Sequence, residues 1–227
     1  LVFIFTLIYN IPSWVLNTVV QNYSQGRLKL YDTGGTFWQG SGLLVALGSK
    51  ADVSAPLILL HWKIRPGLTK FIDIQFHVGN KEVADIYLNR NGANLDKLDL
   101  SLSITQVEQL FDIIKDLSIS GNVALHADHI QIGKKMQGMI SVNLDNISSG
   151  ISKVNPLGSY IVQLTTDTGK IDVSSNSNSI LMVDGSGSIN ALTLDATINQ
   201  NHREEMLPFI TLMGLPKANG SYQLKIF

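Results

Sequence analysis

The chain of 227 residues contains no cysteine. That absence excludes disulfide frameworks, thiolate metal sites and cysteine nucleophiles, and it leaves the cellular compartment open. Charge is also scarce. Asp, Glu, Lys and Arg together make up only 15% of residues and the formal net charge is -1, low for a freely soluble protein and compatible with one that packs against a membrane or partners. No Lys/Arg block exceeds isolated pairs such as Lys134-Lys135, so nothing attracts a phosphate backbone and nucleic-acid binding is excluded as a function class. A hydrophobic share of 44% is ample for a real core in one large domain or two small ones.

The longest uncharged stretch lies at the start, from Leu1 to Gly26. Its opening run, Leu1 to Tyr9, is as apolar as a membrane-spanning helix but about half the ~20 residues that spanning requires. Since the sequence opens at Leu1 rather than Met, residues 1–24 are expected to be the outer part of a truncated transmembrane or interfacial anchor helix. Tyr9 and Trp14 then sit at headgroup depth. Pro12 is expected to break or restart the helix, and Val15, Leu16, Val19, Val20 and Tyr23 continue an apolar stripe at near-helical spacing. A cleaved signal peptide is the alternative, but the small-residue cleavage pattern that should follow the apolar run is missing.

From Arg27 onward the pattern becomes strict alternation, the period-2 signature of half-buried strands. Ile72, Ile74, Phe76 and Val78 are apolar while Asp73, Gln75 and His77 are polar. The same even-numbered parity returns in Leu98, Leu100, Leu102 and Ile104, in Ile140, Val142 and Leu144, and in Tyr222, Leu224 and Ile226. Turns are predicted at Gly79-Asn80, Asn91-Gly92, Gly133-Lys134, Thr168-Gly169 and Asp184-Gly185. A parity change between Ala191 and Leu192 predicts a bulge, and the polar run Ser174–Ser179 predicts a mobile loop with nothing useful to bury. The expected fold class is mainly β: curved or rolled antiparallel sheet with two short helices and the N-terminal anchor helix.

The first helix is expected to open with a capping box at Thr105-Gln-Val-Glu108, with Val107, Leu110, Phe111 and Ile114 on its buried face. The second is expected over about 201–213, capped near Asn201, kinked or restarted at Pro208 and stopped by Gly214. Residues 27–227 form the β-rich domain, with two lobes expected over about 27–116 and 117–227.

Reaction chemistry is nearly absent. His126-Ala-Asp128-His129 is the one cluster of ligand-type residues, but alternation on a strand puts His129 on the face opposite His126 and Asp128, so no metal is expected. Asp184-Gly-Ser-Gly187 lacks the Lys-Ser/Thr and helix start of a phosphate loop and reads as a turn. No G-x-S-x-G elbow and no paired carboxylates are visible. No catalytic residue, cofactor or metal site is therefore nominated, and an enzyme is not expected. Trp38 and Trp62 are most simply core aromatics on strands, and Gly35 and Gly40 backbone devices for a bend or a positive φ.

Order along the chain adds a resemblance. Gly35-Thr36-Phe37-Trp38-Gln39-Gly40 resembles the G-T-hydrophobic-W-x-G signature of the type II secretion system protein N family. His61-Trp62-Lys63-Ile64-Arg65-Pro66 is similar to the family's tryptophan strand ending in proline, Asn155-Pro156-Leu157-Gly158-Ser159-Tyr160 to its P-L-G-x-Y segment, and Leu181 to Gly185 to its glycine-terminated strand. Leu207 to Tyr222, with Gly214, Pro216 and Gly220, resembles its closing helix, Gly-x-Pro link and last strand. The resemblance implies a single-pass inner-membrane protein of a Gram-negative bacterium with its bulk in the periplasm. It implies an accessory part of the export machinery, whose β domain docks other inner-membrane subunits and, as a further candidate, the secretin, and which meets lipid through its N-terminal helix. Gly35, Thr36, Trp38, Gly40, Trp62, Pro66, Gly158, Tyr160, Gly214, Pro216, Gly220 and Tyr222 become structural or interface candidates on that basis. An exposed edge strand is the expected means of docking. The alternative from a different class is a lipid-binding or lipid-bridging groove protein similar to the AsmA-like and lipopolysaccharide-bridge families, its groove lined by Ile72, Ile74, Leu100, Ile140 and Val142.

Overall fold

The structure is a computed structural model in which residues 6, 8–47, 54–67, 71–108, 112–133, 135–188, 190–218 and 220–224 are described. Its centre is one antiparallel sheet of fourteen strands. Strands β1 (Leu28–Gly35) to β12 (Ala191–Ile198) run side by side in chain order, and β14 (Tyr222–Leu224) then lies between β12 and β13 (Gly214–Pro216). Among the described residues neither end strand pairs with the other, so the sheet is open and not a closed barrel. The intervening strands are β2 (Gln39–Leu47), β3 (Ser54–Pro66), β4 (Ile72–Val78), β5 (Lys81–Asn89), β6 (Gly92–Ser103), β7 (Ile119–Ile132), β8 (Met136–Ser149), β9 (Gly158–Thr165), β10 (Lys170–Ser175) and β11 (Leu181–Ser188). Register explains the even-numbered parity. Leu100 faces Leu125, Leu125 faces Val142, and Val142 faces Val162, so directly opposed apolar side chains stack across the strands on a single face.

Three helical segments seat on that face at separate places, and each closes its own core. Helix α1 (Trp14–Tyr23) buries Leu16 against Leu30, Trp62 and Ile64. Helices α2 (Ile104–Val107) and α3 (Asp112–Asp116) bring Ile104 and the half-buried Ile114 to Leu102, Val123, Ile147 and Tyr160. Helix α4 (Arg203–Met213) seats Met206, Phe209 and Ile210 on Leu181, Ala196 and Tyr222. Across the 116/117 division expected between lobes, β6 and β7 pair from Ala93–Ile132 to Ser103–Asn122.

Several local expectations are corrected. Asp184-Gly185 is not a turn but lies mid-strand in β11, with Asp184 opposite Asp195 and Gly185 opposite Leu194. The glycines serve strand contact instead: a Cβ at Gly185 would stand 2.1 Å from Thr193 O and one at Gly187 2.1 Å from Ala191 O. No bulge occurs at Ala191–Leu192, because the β11–β12 register is unbroken and Ala191 is the first residue of β12, where parity has just been reset by the hairpin. The 174–179 run is not an idle loop. Ser174 and Ser175 end β10, and Ser179 is buried, bonded to the backbone N and O of Ser159 at 3.2 Å each.

Helix starts shift for a similar reason: the residue that caps is the one whose backbone is still extended. Helix α2 begins after Ser103 (φ -75, ψ 143), and the box is formed by Ser103 and Gln106, whose Oε1 accepts from Ser103 N at 2.8 Å. Gln106 Nε2 also donates to Leu57 O at 2.6 Å, fastening the helix to β3. At the second site Asn199, not Asn201, is the cap, accepting from Asn201 N and opening a 3₁₀ turn over Gln200–His202 before α4 starts at Arg203, with Pro208 inside it. Leu110, Phe111, Lys134, Ile226 and most of Leu1–Leu7 lie outside the described residues. Among those described, no helix is long and apolar enough to cross a membrane.

Candidate functional site

The most elaborated corner of the molecule is the β1–β2 turn. Gly35 has φ +89, and a Cβ there would fall 2.5 Å from Gln39 O, so only glycine enters this turn without strain. Thr36 closes it, its N–H donating to Gln39 O at 2.9 Å and its Oγ1 accepting from Gln39 N at 3.2 Å. Phe37 and Trp38 stand at the tip, edge to face with centroids 5.3 Å apart. They hold the N-terminal segment: Phe37 N donates to Ile11 O and Trp38 Nε1 to Ile8 O, both at 2.7 Å, and Pro12 bridges to Thr36.

Trp62 lies beneath, 2% exposed, with Nε1 donating to Phe37 O at 3.1 Å and Thr36 O at 3.3 Å. Gly40 is its direct cross-strand partner. A Cβ at Gly40 would sit 2.6 Å from Trp62 Cζ2 and 2.4 Å from Gly34 O, so the ring occupies the place a side chain would take. The sequence pattern explains Gly35 by its φ, but the reasons for Gly40 are the close approach of Gly34 O and the indole of a residue 22 positions away, the second of which spacing alone does not reveal. Beside this corner opens a cleft of about 720 Å³ bordered by Tyr9, Gly34, Gly35, Trp38, His61 and Lys63.

A second concavity, of about 270 Å³, lies between α4 and the inner face of β8–β12 and is walled by aliphatic and aromatic side chains. The one hydroxyl among its described lining residues is already committed, since Tyr160 donates to Leu181 O at 2.9 Å, and burial raises the pKa of that phenol. Leu157, Tyr160, Leu181, Val183, Phe209 and Met213 of its lining fall in the motif segments, yet nothing in those motifs reads as a groove, which forms because α4 folds back over the sheet.

The outer face carries ordinary ion pairs. His129, expected on the face opposite His126 and Asp128, is instead turned outward with them by its φ of +53 at an irregularity of β7 and meets Asp96 at 2.7 Å, while Asp99 is bonded by Lys81 at 2.6 Å with His126 at 3.7 Å. The Lys81 ammonium holds the Asp99 carboxyl below the usual carboxylate range. Among the described residues no three His, Asp or Glu side chains are placed to hold a metal ion.

A family model, Type II secretion system (T2SS), protein N, matches residues 26–225. The chain belongs to that family. No curated protein and no solved structure matches it. Membership ties the chain to type II secretion and protein transport, in a family of secretion-system components, and implies association with the cell envelope and interaction with other parts of that system.

The twelve motif positions do not converge on one site. Gly35, Thr36, Trp38, Gly40 and Trp62 form the corner just described, and Pro66 ends β3 opposite Ile72. Gly158 and Tyr160 lie at the middle of the sheet, where a Cβ on Gly158 would stand 2.4 Å from the Ser179 side chain. Gly214, Pro216, Gly220 and Tyr222 make the final hairpin: Gly220 turns at φ +82, Pro216 faces Tyr222, and Lys217 between them pairs with Asp195.

Proposed function

We propose that this protein is an accessory inner-membrane component of the type II secretion machinery whose periplasmic β domain docks other secretion subunits during export across the outer membrane. Family membership and the character of the N-terminal corner support this reading. The observation that carries it is the arrangement of exposed apolar side chains beside the motif cleft. Trp14 is 61% exposed and Tyr23 88%, both on a helix that has no acidic residue in its first turn and no basic one in its last, and Tyr9 and Ile8 are exposed just before it. Exposed aromatics on an uncharged helix suit a membrane interface, and the adjoining cleft, with Trp38, His61 and Lys63 on its border, suits a protein partner.

Pairing through a free sheet edge receives less support. The outward N–H groups of β1 at Leu28 and Leu30 donate to Ser24 Oγ at 3.0 Å and Asn17 Oδ1 at 2.9 Å, so α1 covers that edge. The opposite edge strand, β13, is three residues long and ends in Pro216, a combination that discourages strand addition. Docking through side chains of the cleft is therefore the preferred mode. Photo-crosslinking in cells from Gln39, His61 and Lys63, with Leu215 of β13 and His126 of β7 as comparison positions, tests it. Adducts with an inner-membrane secretion subunit are expected, and adducts arising only from β13 or from the outer face of β7 would overturn it.

A further inference from the structure

The groove beneath α4 invites a ligand of narrow chemical class. Leu144, Val162, Val173 and Leu194 of the sheet and Phe209 and Met213 of α4 are among its walls. The strands β8 to β12 that floor it are each hydrogen-bonded on both sides, so the floor presents no free backbone group along its paired length. Tyr160, the polar side chain among the described lining residues, spends its hydroxyl on Leu181 O. An occupant bearing hydrogen-bonding groups would lose its water contacts there and receive nothing in return.

That requirement selects among occupants. Water needs two or more polar partners, and the described lining residues offer it only the Tyr160 hydroxyl, already bonded to Leu181 O. An extended peptide brings an amide N–H and C=O with every residue, all unsatisfied in this groove. A helix satisfies its own backbone, and saturable fatty-acid binding at this site is what separates a hydrocarbon chain from it. A hydrocarbon chain meets both the polarity and the size, since an apolar cavity of ~150 Å³ already accepts benzene. At and beside the groove, Leu125, Val142, Val162 and Val173 oppose one another in register and all four stay only half buried, so the apolar face extends past it.

We propose that this groove, between α4 and the inner face of β8–β12, binds the acyl chain of a membrane lipid. The site stands apart from the motif corner and does not depend on whether the cleft there docks a secretion subunit. Its test uses the full chain and straight-chain fatty acids from eight to sixteen carbons, with displacement of the fluorescent fatty acid cis-parinaric acid as readout. Saturable one-to-one binding is expected, tightening about fourfold with each added methylene until the groove is filled. The substitutions Val162→Trp and Leu194→Trp, which fill the groove without adding charge, are expected to weaken binding at least tenfold. Circular dichroism reports whether each variant folds. Labelling the wild-type chain with a photoreactive fatty acid, followed by peptide mapping, keeps the test open should either variant misfold. Adducts on peptides containing Val162, Val173 or Phe209 support the site. Absence of saturable binding, undiminished binding by both folded variants, or adducts confined to α1 around Trp14 and Tyr23 would overturn it.

Discussion

Gly40 and Trp62 face each other across the β2–β3 pair, and the indole lies where a Cβ on residue 40 would be, 2.6 Å from Cζ2. Trp62 in turn donates to the two carbonyls of the turn that precedes Gly40. One glycine thus lets one ring bind together strand, turn and N-terminal helix. Gly40→Ala is expected to cost about 2 kcal/mol, the range for overpacking a filled core. The cost should shrink when Trp62→Leu has already emptied the space, so a double-mutant cycle by urea unfolding checks the coupling. Strict additivity of the two single changes would refute it.

Tyr160 predicts an alkaline weakness. Its buried hydroxyl titrates higher in the folded than in the unfolded chain, so the folded state keeps a proton that the unfolded state loses first. The stability it contributes is complete below the ordinary tyrosine value of about 10 and is lost as pH rises through the raised folded value. Tyr160→Phe should cost about 1 kcal/mol at pH 7, where the bond to Leu181 O disappears. Above pH 10 the variant should lose stability less steeply than the parent, as measured by urea midpoints from pH 8 to 11.5.

Asn17 and Ser24 predict how the sheet avoids pairing with itself. Both accept from outward N–H groups of β1, and replacing both by alanine leaves those donors uncapped on a sheet edge. Faster amide exchange at Leu28 and Leu30, together with a concentration-dependent rise in mass by analytical ultracentrifugation, is the expected outcome. Unchanged exchange at both amides would show that α1 covers the edge without these side chains.

Gly158 predicts a second coupled pair. Its Cβ would meet the Ser179 side chain at 2.4 Å and its φ is +157, so Gly158→Ala should destabilise the protein by at least about 2 kcal/mol. Adding Ser179→Gly removes the clash but not the backbone strain, and forfeits the bonds to Ser159. The double variant should therefore cost less than the sum of the singles in calorimetric melting, while remaining well below the parent.

Much of this molecule is written in local pattern. The alternation of Ile72, Ile74 and Phe76, and of Leu98, Leu100 and Leu102, is enough to state that strands form and which side chains share a face, because a period of two needs no knowledge of neighbours, and one-sided strands joined by short turns imply an antiparallel sheet. The ordered glycines, tryptophans and prolines from Gly35 to Tyr222 carry the family in the same local way. What failed were positions whose meaning depends on contacts distant in sequence. Gly185 resembles a turn glycine until Thr193 O is seen against it, and Ser179 resembles loop filler until it is found bonded to Ser159.

Local pattern alone carries the mainly β, antiparallel character of the chain, its shared apolar face and its family. The packing of Trp62 over Gly40, the cover that α1 gives the first edge, and the return of α4 over β8–β12 to leave an apolar groove emerge only from the folded chain. Range separates the two. Periodicity and composition report each residue's own preference, whereas a cleft, a covered edge or a groove is set by the register of strands dozens of residues apart, which no local window contains.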